Sequence, residues 1–144
     1  EPKVLEYNCR FGDPETQPIM MRLESDLYDL IDSCFKGGID KYPIEWSSDV
    51  ALGVIMSSKG YPESYETGFE IFGLESLNNN NLRVFHSGTK KENDKTLTSG
   101  GRVLCVTALG EDIKESRKLV YSAMSKINWK GCYFRKDIGF RVMK

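Results

Sequence analysis

Between Val50 and Leu109 the sequence is written in short apolar runs, and that feature limits the possible fold more than any other. Val50–Met56, Phe69–Leu74, Leu82–Ser87 and Leu97–Leu109 are rich in Val, Ile, Leu and Phe and are separated by Gly, Pro and Asn turns, the pattern of strands rather than helices. Asp112 then opens a helix, with Glu115 three residues on as its capping-box partner. Ile113, Val120, Ala123, Met124 and Ile127 form a stripe that lies across the sheet. A last strand is expected over Cys132–Val142. Strands in a run with one covering helix predict an α+β module with a small antiparallel sheet. The polar tract Asn78–Asn81 reads as a loop with nothing to bury. There is no internal repeat.

Upstream the pattern differs. Residues 3–11 alternate as a strand does, and Met20, Leu23, Leu27, Leu30, Ile31 and Cys34 give residues 17–35 one apolar helical stripe. Thr16 suits a cap, Pro18 the first turn, and Gly37-Gly38 the end of that helix. Residues 36–48, rich in Gly, Pro, Ser and Asp around Trp46, read as a linker. The expected division is therefore residues 1–35, a linker at 36–48, and a C-terminal module from 49 to 144. There is no initiator Met, and Val4-Leu5-Glu6-Tyr7 already reads as a strand in progress, so the first residues are expected to be a cut edge. A stripe from Met20 to Cys34 with its partner sheet missing predicts that residues 1–35 are the labile part of the chain.

Composition excludes some functions. Twenty Lys and Arg residues against 21 Asp and Glu leave a net charge of −1, which argues against a nucleic-acid binder needing a basic surface. No apolar run approaches the roughly 18 residues needed to cross a membrane, and no signal-peptide pattern is present. Cys9, Cys34, Cys105 and Cys132 form no CxxC pair and have no His cluster near them, so they read as reduced core thiols of a cytoplasmic protein.

The stretch from Glu6 to Gln17 carries the most chemistry. On a strand Glu6, Asn8 and Arg10 project together, while Tyr7, Cys9 and Phe11 face the other way. A carboxylate beside an amide oxygen suits Mg²⁺, which fills the rest of its shell from phosphates and water. Arg10 offers a planar guanidinium for a phosphate or carboxylate. Gly12 lets backbone pass close to a ligand, Asp13-Pro14 turns the chain, and the N–H groups around Thr16 and Gln17 face any anion bound there. The same spacing also fits a solvated strand face with an exposed Glu–Arg pair.

The segment LEYNCRFGDPETQP, Leu5 to Pro18, resembles the metal-binding strand and loop that close the ATP-grasp active site of phosphoribosylamine–glycine ligases. Gly60-Tyr61-Pro62, Val84–Thr89, Thr98–Leu104, Val106–Gly110 and Arg135–Gly139 are similar to that family's C-terminal segments, in the same order. The resemblance implies the end of an ATP-grasp subdomain followed by the small sheet module. It also implies a ligase in which ATP phosphorylates glycine and the amine of 5-phosphoribosylamine attacks the acyl phosphate. Glu6 and Asn8 match the family's Mg²⁺ or Mn²⁺ ligands. Arg10 would steady the acyl phosphate, and Gly12, Asp13, Pro14 and Glu15 would border the substrates. The family's Gly-rich phosphate loop, nucleotide lysine and adenine pocket have no counterpart here. The resemblance thus implies a fragment, inactive alone, whose partner is the missing N-terminal portion of the same enzyme.

Other readings stay open. The piece also fits a non-catalytic interaction module packing against a separate ATP-binding chain, or the C-terminal module of another ATP-grasp ligase such as a carboxylase, although the GDPETQ loop speaks against the last. His86 reads as a hydrogen-bonded structural group or a general base. The turn Thr98-Ser99-Gly100-Gly101-Arg102 fits backbone anion binding or a plain hairpin turn. Arg135-Lys136-Asp137 fits a substrate-phosphate site or an ion-pair patch locking the module to the rest. Trp46 and Trp129 read as packing anchors.

Overall fold

The computed structural model of the chain describes residues 2–7, 9–75 and 77–143. In chain order it contains helices α1 (Thr16–Arg22) and α2 (Leu27–Phe35), then strands β1 (Val50–Ser58), β2 (Leu82–His86), β3 (Thr89–Glu92), β4 (Lys95–Thr98) and β5 (Arg102–Gly110). Helix α3 (Ile113–Met124) and the short strand β6 (Cys132–Tyr133) follow, with 3-10 turns at Ile39–Lys41 and Phe140–Val142. Strands β2, β5, β1 and β6, in that order, make one antiparallel sheet, and β3 and β4 make a second, two-stranded one. The α+β class with an antiparallel sheet is as the apolar runs indicate.

The long strands β1 and β5 pair from Val50 opposite Gly110 to Ser57 opposite Arg102. Alternation along them divides the side chains between two faces. Leu52, Val54 and Met56 join Leu104, Val106 and Ala108, with Leu82 and Val84 of β2, in one buried cluster with Val120, Ala123 and Met124 of α3. Each fully buried side chain of this kind contributes about 1.5–3 kcal/mol. The opposite face carries Gly53, Cys105 and Thr107, and there α1 lies down. A Cβ on Gly53 would sit 3.0 Å from Pro18 Cγ, 3.2 Å from Thr107 Oγ1 and 3.3 Å from Cys105 Sγ. Glycine at this position of β1 is what lets the first turn of α1 approach the sheet.

Helix α3 starts as its cap signature indicates. Asp112 accepts from Glu115 N at 2.8 Å, and Glu115 reaches back to the N–H of Glu111 at 2.8 Å. Ser116 Oγ donates to Val50 O at 2.7 Å and ties the helix to the start of β1.

Several expected elements differ. Residues 3–11 pair into no sheet among the described residues, and Leu5 is 96% exposed and Tyr7 82% exposed. A strand exists only through its partner's backbone hydrogen bonds, and no described residue supplies them. The helix expected over 17–35 is two helices. Asp26 caps α2, accepting from Tyr28 N at 2.7 Å and Asp29 N at 3.2 Å, while Glu24 N donates to Glu45 O and Ser47 N to Arg22 O. The supposed linker therefore returns to bind the break between the helices, with Leu23 bridged to Trp46. Thr16 opens α1 instead of capping it. Gly37 and Gly38 do end α2, donating to Cys34 O and Ser33 O, with Gly37 at φ +68°.

In the sheet module, Phe69–Leu74 forms only isolated bridges, Glu70 to Leu97 and Phe72 to Asn128. Gly73 stops the run at φ +81°, its Cα so close to Lys126 O that a side chain would collide. The run Leu97–Leu109 is divided by Gly100-Gly101. A polar hairpin of β3 and β4 precedes the division, turning at Asn93 (φ 48°) and Asp94 (φ 62°). The strand expected over Cys132–Val142 is real only at Cys132–Tyr133. The Asn78–Asn81 loop is ordered by its own side chains: Asn78 Oδ1 accepts from Val84 N at 2.8 Å and Asn79 Oδ1 from Asn81 N at 2.9 Å. Trp129 is buried at 3% exposure, but Trp46 is 47% exposed and is no core anchor.

Two measurements check this architecture. Met56→Ala empties a fully buried position and is expected to cost about 2–5 kcal/mol in chemical denaturation, whereas Trp46→Ala should cost under about 1 kcal/mol. The thiols differ as well. Cys9 and Cys34 are exposed, while burial pushes Cys105 and Cys132 up to about 11. At pH 8 a thiol raised that far is almost wholly protonated and a poor nucleophile. An aromatic disulfide reagent should therefore titrate two thiols quickly and the other two only after unfolding. Four fast thiols would contradict the burial.

Candidate functional site

The segment singled out in the sequence meets the module at a compact turn. Gly12 is buried; its N–H donates to Glu15 Oε1 at 2.8 Å and its carbonyl accepts from Thr16 N at 2.9 Å. Asp13 Oδ1 accepts from Gln17 Nε2 at 2.8 Å. The turn thus satisfies itself and launches α1. The N–H of Thr16 is spent on Gly12 and does not face an anion, contrary to the expectation for this helix start.

The turn is also held from outside. Arg102, the first residue of β5, donates from Nη1 to Asp13 O at 2.9 Å and places Nε 3.2 Å from Asp13 Oδ2. Arg102 is therefore neither a plain surface arginine nor a free anion ligand. The glycines before it have packing roles. A Cβ on Gly101 would fall 2.1 Å from the Tyr61 ring, and one on Gly100 3.0 Å from Gly88 Cα. Gly100 O accepts from Ser58 Oγ at 3.0 Å and Gly101 O from Ser58 N at 2.8 Å.

Beside this junction is a cavity of about 360 Å³, lined among others by Pro14, Ile55, Tyr61, Arg102, Phe134 and Arg135. It has an apolar floor with two guanidinium groups at its wall, in the size range of small-molecule sites. A larger hollow of about 610 Å³ lies between Lys59, Tyr65, Phe69 and Lys130, with Lys130 Nζ 5.0 Å from the Phe69 ring centroid. None of the described residues from Glu6 to Glu15 lines it, whereas Pro14 lines the smaller cavity.

The expected metal row lies upstream of this turn. Glu6 and Arg10 are both exposed, and Asn8 lies outside the described residues. Because the segment joins no sheet here, the period-two argument for a shared face is not enforced by pairing. Among the described residues no group of three or more His, Cys, Asp or Glu side chains is arranged to hold a metal. Glu6 nevertheless offers a hard, open carboxylate, a donor that suits Mg²⁺ or Mn²⁺ when phosphates and water complete the shell.

The remaining candidates resolve into local contacts. His86 Nδ1 lies 3.0 Å from Thr89 Oγ1 across the Ser87-Gly88 turn. Arg135 and Asp137 form a two-bond pair at 2.9 and 2.6 Å, which holds the Asp137 carboxyl below its usual range. That pair stays within its own segment. The segment is locked by main-chain contacts instead: Arg117 donates to Ile138 O at 3.1 Å and to Lys136 O at 2.6 Å, and Tyr121 Oη donates to Arg135 O at 2.8 Å.

Sequence reasoning missed Gly53, although glycine inside an apolar strand is a signal of close approach. It also missed the partnership of Arg102 with Asp13, for which no local pattern exists.

Comparison with known proteins bears on the fold and on the family. The chain is 51% identical over 144 residues to the phosphoribosylamine–glycine ligase of Salmonella typhimurium, covering 99% of this chain and 34% of that protein. It is 49% identical over 142 residues to the enzyme of the same name from Allochromatium vinosum, covering 99% and 33%. The crystal structure of the Thermotoga maritima phosphoribosylamine–glycine ligase superposes with a TM-score of 0.80 at 32% identity, over 95% of this chain and 33% of that one. The chain therefore spans about a third of the length of the relatives it matches. The model of the phosphoribosylglycinamide synthetase C domain matches residues 51–141, more than half of the sequence, and the chain belongs to that family.

Proposed function

We propose that this chain is the C-terminal third of an ATP-dependent ligase that joins glycine to 5-phosphoribosylamine in purine synthesis, and that it is inactive alone. The observation that carries the reading is the reach of the similarity. Near-half identity extends over 99% of the chain, including Glu6–Glu15, which lie upstream of the family match at 51–141. In this reading the protein is cytoplasmic, and its nucleotide is bound mainly by the remaining two thirds of the enzyme.

Glu6 and Asn8 are then the residues that hold Mg²⁺ or Mn²⁺ beside the ATP phosphates. The metal, when bound, neutralises charge on the transferring phosphoryl group. Arg10 steadies the acyl phosphate of glycine, and Gly12, Asp13, Pro14 and Glu15 border the substrates. A self-satisfied turn suits that task, because it holds its shape without help from the ligand. The exposed apolar side chains upstream have a use in the same reading. Tyr28, Ile31 and Phe35 lie on one side of α2, and Phe35 is 87% exposed. Such a stripe, with Leu5 and Tyr7, supplies a docking surface for the rest of the ligase.

Two expectations test this. In the full-length ligase that carries this chain, Glu6→Gln should lower kcat by about two orders of magnitude or more, because the carboxylate acts on charge that develops in the transition state. Near-normal kcat at saturating Mg²⁺ would remove Glu6 from the metal. The 144-residue chain by itself should form no ADP from ATP, glycine and 5-phosphoribosylamine. Turnover by the isolated chain would contradict the fragment reading.

A further inference from the structure

We infer that Arg102 is a positioning residue for the ligation, clamping the Gly12–Glu15 turn to the end of β5; this rests on the reading of the chain as part of that ligase. Arg102 grips one residue in two ways, through the Asp13 carbonyl at 2.9 Å and the Asp13 carboxylate at 3.2 Å. The other carboxylate oxygen of Asp13 is taken by Gln17, and Gly12 N is taken by Glu15. The turn is thus hydrogen-bonded within itself, and among the described contacts its polar link to the sheet is this guanidinium.

The base of the clamp is rigid. Arg102 O accepts from Gly88 N at 2.8 Å, and the preceding carbonyl, Gly101 O, accepts from Ser58 N at 2.8 Å. The Tyr61 ring lies against Gly101 and closes the same corner. Arg102 and Pro14 line one cavity, so the clamp sets the cavity wall as well as the turn.

Energy and geometry separate here. The side chains of Arg102 and Asp13 are 41% and 33% exposed, and a pair so open to solvent adds little to stability. What it fixes is the place of the turn relative to the sheet. A displacement of about 1 Å at a reacting site can cost roughly 10²-fold in rate. Lysine, a point charge with no fork, cannot hold the carbonyl and the carboxylate together in the same geometry.

The test is steady-state kinetics of Arg102→Met and Arg102→Lys in the full-length ligase, beside denaturation midpoints and amide exchange of each variant. The inference predicts that Arg102→Met lowers kcat about 10–100-fold, leaves KM for ATP unchanged and barely moves the denaturation midpoint. The amides of Gly12 and Thr16 should exchange faster. Arg102→Lys should recover part of the lost kcat and not all of it. If Arg102→Met keeps kcat within twofold of the parent while Glu6→Gln abolishes it, the clamp is overturned and the ligase reading stands. Loss of activity matched by collapse of the fold would also overturn it, since that is a structural role. An inactive parent enzyme would bring down the ligase reading, and the clamp with it.

Discussion

The antiparallel pairing of β1 with β5 is the contact from which both halves of the chain take their position. Its register, Val54 opposite Val106 and Gly53 opposite Thr107, decides which side chains meet on each face. One face presents a continuous apolar surface to α3 and buries Met56, Val106, Val120 and Met124 completely. The other face presents a shallow place at Gly53, and α1 fills it. A slip of one residue would exchange the two sets and leave neither helix with a seat.

The candidate site segment inherits its placement from that pairing. Helix α1 is only seven residues long, too short to be stable by itself in water. It holds because Pro18 packs over Gly53 of β1, where any side chain would crowd against it. The turn before it is fixed by its own hydrogen bonds and by Arg102, which stands at the start of β5. Both attachments of the Gly12–Glu15 turn therefore return to the central pair, one through packing and one through a charged fork. The ligase chemistry proposed for Glu6–Glu15 depends on strands that begin only at Val50, 35 residues beyond Glu15.

Much of this is readable from local pattern. Strands β1 and β2 follow from their apolar runs, and α3 follows from Asp112, Glu115 and a stripe with a 3.6-residue period. The failures have physical causes. The hairpin of β3 and β4 carries Thr-Lys-Lys-Glu, with no apolar alternation to announce it, and only the Asn93-Asp94 turn marks it. The break between α1 and α2 was signalled by Ser25-Asp26, a cap inside an otherwise periodic stripe, and the stripe concealed it. Residues 3–11 have strand character, but pairing is a property of two segments, and the described residues contain no second one. The contact of Arg102 with Asp13 spans 89 positions and leaves no local trace. At the candidate site, the resemblance to a family singled out the Gly12–Glu15 turn, while the sheet contacts that hold that turn emerged only from the fold.

The dependence of the turn on the sheet is tested most directly by native-state amide exchange in the parent chain and in Gly53→Val. The side chain introduced there meets Pro18, Thr107 and Cys105, the nearest at 3.0 Å from its Cβ. In the parent, the amides of α1, such as Ile19 bonded to Glu15 O, should be clearly more protected than residues 2–7. In Gly53→Val that protection should fall to the level of residues 2–7, while the amides of Val103 to Ala108 keep most of theirs. Unchanged protection of α1 in Gly53→Val, or an α1 that already exchanges freely in the parent, would show that the sheet does not hold the turn.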